Sequence, residues 1–300
     1  MAVTRLARLG VLRADSARCL CGQASRHLIT NSTSSFSSSA NGNGSIQSEK
    51  KEVNGVQLHY EKTGSGDHAV FLLPGALGCS RTDFGPQLEK LNKEKFTVFC
   101  WDPRGYGKSR PPDRDWPLDF YGRDAEDATA LIKALGLSQV SLLGWSDGGN
   151  TALIMAGRYP ELCRKLVVWG SNTYVCDKDI EFTEAIRDIN KWSDGMKKPF
   201  IDVYGEAYFC EQWGRWVDAF HRIKHKNNGN VCRDQLPKIV CPTLIIHGQL
   251  DPIVVQEHPD YIHANIRHSR LVNWPKAKHN LHLRYADDFN KTVEDFLLDP

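Results

Sequence analysis

Val140-Ser141-Leu142-Leu143-Gly144-Trp145-Ser146-Asp147-Gly148-Gly149-Asn150 is the stretch on which the reading of this chain turns. Val140–Leu143 is an apolar run that predicts a buried strand, and Asn150–Tyr159, stopped by Pro160, predicts a helix. Between them lies G-x-S-x-G. Glycines at both ends permit the sharp strand-to-helix turn that lifts a serine Oγ above the C-terminal edge of a sheet. The backbone N–H of Asp147 then stands at a helix N-terminus, where it can meet a developing oxyanion. The pattern by itself also fits a tight glycine turn with an incidental serine. The strand before it and the helix after it favour a nucleophile.

Working outward, strand and helix signals alternate. Val56–Tyr60, Ala69–Leu73, Phe96–Trp101, Lys165–Trp169, Thr243–His247 and Leu271–Trp274 predict strands. Gln87–Leu91, Tyr121–Leu135 (closed by Gly136) and Leu281–Leu298 predict helices. Apolar strands alternating with amphipathic helices imply an α/β fold: a mostly parallel central sheet covered on both faces. One segment breaks the alternation. Residues 171–235 carry no strand signal and are rich in aromatics, among them Trp192, Phe200, Trp213, Trp216 and Phe220. This reads as a helical insertion that either packs on itself or roofs a site as a lid.

A serine nucleophile needs a base, and the base needs an orienting carboxylate. In this architecture the chain order is Ser, acid, His. Asp251 stands in the turn after the strand Thr243–His247, where a carboxylate faces the site; an ordinary Asp-Pro turn is the bland alternative. The segment after Lys165–Trp169 offers Gly170-Ser171-Asn172 and no acid, which strengthens Asp251. His279 lies in the loop after Leu271–Trp274 and is the expected base. His282, at the start of the last helix, is the rival and is expected to pack or face solvent. The second oxyanion donor is expected from Pro74-Gly75-Ala76-Leu77-Gly78, as the N–H of Ala76 or Leu77; the donor is backbone, so Pro74 in place of a His does not exclude it. Asp102–Ser109 reads as a supporting polar turn.

Two phosphate-loop look-alikes fail. Gly64-Ser65-Gly66-Asp67-His68-Ala69 precedes a strand rather than a helix, and Gly107-Lys108-Ser109 lacks the glycine five residues upstream, where Asp102 stands. Nucleotide binding is excluded on that ground. The net charge of +2 over 300 residues gives no support to nucleic-acid binding. It is also uneven: residues 1–48 carry five Arg against one acid, Asp15, a net +4 that leaves −2 for the rest. Met1–Ile29 mixes Arg with Ala, Leu and Val, and the run to Ser48 is Ser, Asn and Gly. That composition predicts a mitochondrial transit peptide and linker over 1–48, ahead of a domain over 49–300. Arg interrupts every apolar run, which disfavours a secretory signal. Nine scattered Cys without a C-x-x-C pair argue against a disulfide scaffold and a zinc site. No apolar run reaches the roughly 18 residues of a membrane span. A monomer acting on a small molecule, without metal, organic cofactor, nucleic acid or membrane, is the expectation.

With these residues in place, the chain over 50–300 resembles the α/β-hydrolases. The blocks LLPGALG, TDFGPQL, WDPRGYGKSRPPDRD, LLGWSDGGNTAL and KHNLHLR are similar to those of the biphenyl hydrolase-like family within that superfamily. The resemblance implies a mitochondrial serine hydrolase of amino-acid esters, valacyclovir-type prodrugs among them and homocysteine thiolactone as a further candidate. It implies that Ser146, Asp251 and His279 form the triad and that Asp147 anchors the substrate ammonium. Chemistry alone makes the last role reasonable. A carboxylate beside the nucleophile opposes the charge of a tetrahedral intermediate, unless the substrate brings a cation one carbon from its carbonyl. Otherwise Asp147 points inward as a helix N-terminal acid. The rival functions are a carboxylesterase or carbon–carbon bond hydrolase of uncharged substrates, and a non-catalytic receptor on the same fold. An epoxide hydrolase or dehalogenase of this fold needs an Asp nucleophile, which Ser146 excludes.

Overall fold

The computed structural model describes residues 45–300. The predicted leader therefore lies outside the described residues up to residue 44. Residues 47 and 48, assigned above to the linker, belong to the fold: β1 (Gln47–Val53) pairs antiparallel with β2 (Val56–Thr63) in register from Gln47↔Lys62 to Val53↔Val56. Six of the seven β1 residues are exposed, so no hydrophobic alternation betrays the strand. The turn does. Asn54 and Gly55 both sit at positive φ, 48° and 73°, the geometry that makes Asn-Gly a strong hairpin signal.

The remaining strands are β3 (His68–Leu73), β4 (Phe96–Trp101), β5 (Val140–Trp145), β6 (Cys163–Trp169), β7 (Thr243–Gly248) and β8 (Ser269–Trp274). The eight-stranded sheet has the order β1-β2-β4-β3-β5-β6-β7-β8. β2 joins β4 antiparallel, and β3 to β8 are parallel to their neighbours. The chain runs from β3 outward to β4 and returns across β3 to β5. The crevice beyond the C-terminal ends of β3 and β5 is thus the topological switch point, where open α/β sheets bind ligands.

Period-two alternation drives the layering. Phe71, Leu73, Leu142 and Val168 face one core, together with Ala125, Ala128 and Ile132 of α2 (Phe120–Ala134) and Leu153 and Ala156 of α3 (Asp147–Arg158). Val70, Leu72, Leu143 and Val167 face the other. There they meet Phe84 and Leu88 of α1 (Ser80–Lys90) and the closing helices. The closing segment, predicted as one helix over Leu281–Leu298, is two: a short turn over Leu281–Arg284 and a long helix over Ala286–Leu298. Tyr285 breaks them at φ −124°, ψ 48°. Gln87 Nε2 donates to the His282 carbonyl at 2.9 Å, the acceptor that a continuous helix would offer to the amide of Ala286. A helix over Glu257–Asn265, not anticipated from the sequence, packs Ile262 into the first core.

The insertion between β6 and β7 is helical, as predicted. In chain order it holds helices over Asp177–Ala185, Asp194–Tyr204 and Glu206–Lys226. Its two ends meet at an isolated antiparallel bridge, Tyr174↔Asn230. Its rings pack on one another, Trp213 on Trp216 at 4.6 Å and Phe200 on Phe209 at 4.8 Å. They also extend the first core rather than forming an isolated one. Among the described residues no helix is long and apolar enough to cross a membrane.

The second core offers a direct test of packing. Phe289 is fully buried, 4.7 Å from the Trp169 ring. Phe289→Ala leaves a cavity under the sheet and is expected to lower unfolding stability by about 3–5 kcal/mol, read from denaturant midpoints.

Candidate active site

The G-x-S-x-G turn builds the site outward from one strained residue. β5 ends at Trp145 and α3 begins at Asp147, so Ser146 alone makes the turn, at φ 54°, ψ −122°. A non-glycine residue pays about 1–3 kcal/mol to sit in such a conformation. The surroundings enforce it: Ser146 N–H donates to the Trp169 carbonyl at 2.9 Å, and its own carbonyl accepts from Gly149 N at 2.9 Å. A Cβ on Gly144 would lie 2.5 Å from the Gly148 carbonyl oxygen, so this close crossing of strand and helix requires glycine.

The structure brings Asp251 and His279 to Ser146. Asp251 occupies the turn after β7. Its Oδ1 accepts from the amides of Ile253 and Val254 at 2.9 and 3.0 Å, and its Oδ2 lies 2.8 Å from His279 Nδ1. His279 Nε2 lies 3.1 Å from Ser146 Oγ. Burial pushes the Asp251 carboxyl up, but the His279 imidazole beside it and the two amides outweigh that and hold it below the usual carboxylate range. The His279 loop is fixed by Trp145 Nε1, which donates to the His279 carbonyl at 3.0 Å. Gly170, at the end of β6, clears room for the ring: a Cβ there would lie 2.8 Å from His279 Cε1. Sequence reasoning noted that Gly170 is not an acid and missed that it makes space for the base.

His282 is not the base. It is fully buried, accepts from Trp169 Nε1 at Nδ1 (3.0 Å) and holds the Asp83 carbonyl through Nε2 (2.9 Å). Burial pushes its pKa down to about 3. It is a neutral packing residue joining the sheet to α1.

The oxyanion donors divide cleanly. Asp147 is the first residue of α3. Of the two candidates on the loop after β3, Ala76 lines the cavity over Ser146. Leu77 is not among the residues that line it; its side chain is fully buried, at φ 53°. Ala76 is therefore the better placed of the two.

Asp147 is the site's unusual charge. Asp147 is among the residues lining the cavity, and its carboxylate is held on both sides, Oδ1 accepting from Tyr121 Oη at 2.6 Å and Oδ2 from Trp216 Nε1 of the lid at 2.8 Å. Both donors are neutral, and among the described residues no cation forms an ion pair with it. The nearby Arg114 is spent on Asp124 in a bidentate pair at 2.7 Å on each arm. Burial pushes the Asp147 carboxyl up to about 6, opposed by the Tyr121 and Trp216 hydrogen bonds and by the Arg114 charge. The inward-pointing alternative is half right: the residue is nearly buried, yet it is among those lining the cavity. Tyr121, read from the sequence only as a helix position, and Trp216, read only as a lid aromatic, turn out to hold it.

The cavity measures about 430 Å³. Ser146, His279, Asp147 and Ala76 line its floor, and lid residues Trp192, Phe200, Trp213, Trp216 and Phe220 line its roof. The insertion is therefore both a packed layer and a wall of the site. At the base of the lid, Cys176, Asp179 and His258 come close enough to share an ion. Asp179 and His258 hydrogen-bond each other at 2.9 Å there, tying lid to core. No disulfide is formed among the described residues.

A hydrogen-bonded Ser-His-Asp set is not sufficient for a site. Ser48, His59 and Asp102 repeat the pattern at 2.8 and 2.8 Å. Ser48, however, projects from an exposed edge strand, and Asp102 also accepts from Ser80 N, Ser80 Oγ and Lys108 N. The Ser146 set differs in having a cavity, a helix N-terminus and a second loop amide converging on the nucleophile. That constellation at a switch point of an α/β sheet is the arrangement that serine ester hydrolysis requires.

Comparison with known proteins gives the same class. The alpha/beta hydrolase fold family matches residues 68–201. The chain is 58% identical to human serine hydrolase BPHL over 253 residues, covering 84% of this chain and 87% of that protein. It is 54% identical to the mouse protein over the same shares. Among solved structures, an esterase from Exiguobacterium antarcticum is 26% identical, with a TM-score of 0.66 over 84% of this chain and 100% of that one. The chain belongs to the biphenyl hydrolase-like (BPHL) serine hydrolases of the α/β-hydrolase fold.

The Asp251 geometry sets a specific expectation. In Asp251→Asn the amide oxygen must keep the Ile253 and Val254 N–H groups, so the NH₂ turns toward His279 Nδ1. That forces the wrong imidazole tautomer, and kcat for ester hydrolysis should fall about 10³–10⁴-fold with the fold intact by circular dichroism. Retention of more than a tenth of kcat would contradict the assignment.

Proposed function

We propose that this serine hydrolase cleaves α-amino-acid esters through an acyl-enzyme, with Asp147 anchoring the substrate ammonium. The observation that carries the reading is a buried carboxylate on the cavity-lining residue next to the nucleophile, held by two neutral donors and, among the described residues, by no ion pair. Burying such a charge unpaired is costly, and a bound ammonium would relieve the cost. In an α-amino ester the ammonium sits one carbon from the carbonyl under attack. The aromatic roof offers an apolar wall to the acyl side chain.

His279, oriented by Asp251, takes the Ser146 proton as Oγ attacks the ester carbonyl. The amides of Asp147 and Ala76 receive the oxyanion. His279 protonates the departing alcohol, and water attacks the acyl-enzyme by the same route. Anchored ammonium and developing oxyanion lie on either side of the same residue: Asp147 offers its carboxylate to one and its N–H to the other.

Two measurements test the anchor. Asp147→Asn should lower kcat/KM for a valine ester by at least about 30-fold, from roughly 2 kcal/mol or more for breaking a buried charge pair, and leave the des-amino analogue nearly unchanged. An equal loss on both would favour a hydrolase of uncharged substrates. The pH dependence adds a sign. The anchor works only when Asp147 is ionised, so it fails as pH falls through about 6. The triad serves both substrates alike, so the ratio of amino to des-amino kcat/KM isolates Asp147. That ratio should drop between about pH 7 and 5; a flat ratio would contradict the anchor.

The Arg-rich, acid-poor composition of residues 1–48 supports import into mitochondria. Fused to a reporter, this segment should direct it to mitochondria, and replacing its five Arg by Gln should leave the reporter cytosolic. Mitochondrial delivery of the Arg-free segment would sink the idea.

A further inference from the structure

A second buried carboxylate stands beside the site and takes no part in the mechanism above. Asp83, in the first turn of α1, is 1% exposed. Its Oδ2 accepts the backbone N–H of Gly75 at 2.8 Å, and its Oδ1 accepts Thr82 Oγ1 at 2.8 Å. Gly75 opens the four-residue turn that carries Ala76 and Leu77, and the turn closes with Gly78 N donating to the Gly75 carbonyl at 3.0 Å. The closing residue lies on the same carboxylate: a Cβ added to Gly78 would stand 2.6 Å from Asp83 Cγ. Both ends of the turn therefore rest on one side chain. The backbone of Asp83 is itself fixed, since its carbonyl is held by His282 Nε2 and its amide donates to the Cys79 carbonyl at 3.1 Å.

The turn faces the nucleophile. A Cβ on Gly75 would come within 3.3 Å of Ser146 Cβ. Of the two residues inside the turn, Ala76 lines the cavity over Ser146 and Leu77 does not, so the Ala76 amide is the donor this turn offers to the site.

We propose that Asp83 is a positioning residue for catalysis: its carboxylate pins the Gly75–Gly78 turn and so aims the Ala76 N–H at the oxyanion. An oxyanion donor is effective when it is held in place before charge develops, because reorientation during the reaction would consume the gain. A backbone loop has no side-chain anchor of its own. A buried acceptor supplied from α1 provides it: Oδ2 holds the Gly75 amide, while Oδ1 is held by the Thr82 hydroxyl. Burial pushes this carboxyl up to about 7, against the Thr82 and Gly75 hydrogen bonds. In either protonation state Oδ2 can still accept from Gly75 N–H, while a proton on Oδ1 can be given to the Thr82 hydroxyl, which already reaches the Cys79 carbonyl at 3.2 Å. The pin therefore does not depend on charge, and an amide should replace it.

The test uses an uncharged p-nitrophenyl ester, so that its outcome is independent of the ammonium anchor. Asp83→Ala should lower kcat by about 10²-fold, the scale for losing one oxyanion donor, with KM unchanged. Asp83→Asn should restore most of kcat, because its Oδ1 can accept from Gly75. Gly78→Ala, which pushes a methyl against the carboxylate, should repeat the fall in kcat from the loop side, and it keeps the question open to measurement if Asp83→Ala does not fold. A boronic acid that forms a tetrahedral adduct with Ser146 should lose affinity in step with kcat. The proposal is overturned if Asp83→Ala or Gly78→Ala keeps wild-type kcat, if Asp83→Asn falls as far as Asp83→Ala, or if KM alone changes.

Discussion

Everything in this molecule that bears on chemistry depends on one unfavourable backbone conformation, the left-handed φ of Ser146. It lets β5 stop and α3 start within a single residue, which puts Oγ at the apex and the amide of Asp147 at the first position of a helix. The conformation is held by bonds on both sides of the residue, to β6 through Trp169 and to α3 through Gly149. The topological switch between β3 and β5 then supplies the opposing loop. The sheet's parallel edge supplies Asp251 and His279 from the ends of β7 and β8. Four loops thus converge because the strands that feed them are locked in register by two separate hydrophobic cores.

Charge is the second organising theme. Asp251 is stabilised as an anion by the imidazole and two amides, and so serves as a fixed orienter. Asp147 is given two hydrogen bonds but no ion pair among the described residues, and burial raises its carboxyl. Arg114 acts on it only at a distance, locked to Asp124 and wrapped by the rings of Tyr106, Trp116 and Phe120. The proposed function gives this arrangement its reason: a cationic substrate would supply the partner. The lid takes part in it, since Trp216 reaches from the insertion to the same carboxylate.

Much of the fold was legible because its strands are continuous apolar runs cut by Pro and Gly. β4, Phe96–Trp101, coincides with its prediction. β1 escaped because its side chains face solvent and the decisive signal was the Asn54-Gly55 turn rather than hydrophobic pattern. The break at Tyr285 was illegible because its cause, Gln87, lies far away in the chain. At the site, local spacing and chain order pointed to Ser146, Asp251 and His279, whose roles are tied to loops after particular strands. Choosing Ala76 over Leu77 required knowing which of the two lines the cavity. Asp83, Tyr121 and Gly170 act through long-range contacts, and nothing in their immediate sequence announces them.

The central claim is that Asp147 is a carboxylate awaiting a cation, and the most direct measurement is its own titration. In protein labelled with ¹³C at aspartate carboxyls, with Asp147→Asn used for assignment, the Asp147 resonance should titrate near 6 in the free enzyme. A bound boronic acid analogue of valine, which carries the ammonium, should move that midpoint well below 6, because an opposite charge favours the ionised form. The des-amino boronic acid should leave it at or above its free value. If the two ligands shift the midpoint alike, the carboxylate does not meet the ammonium and the account of this site is wrong.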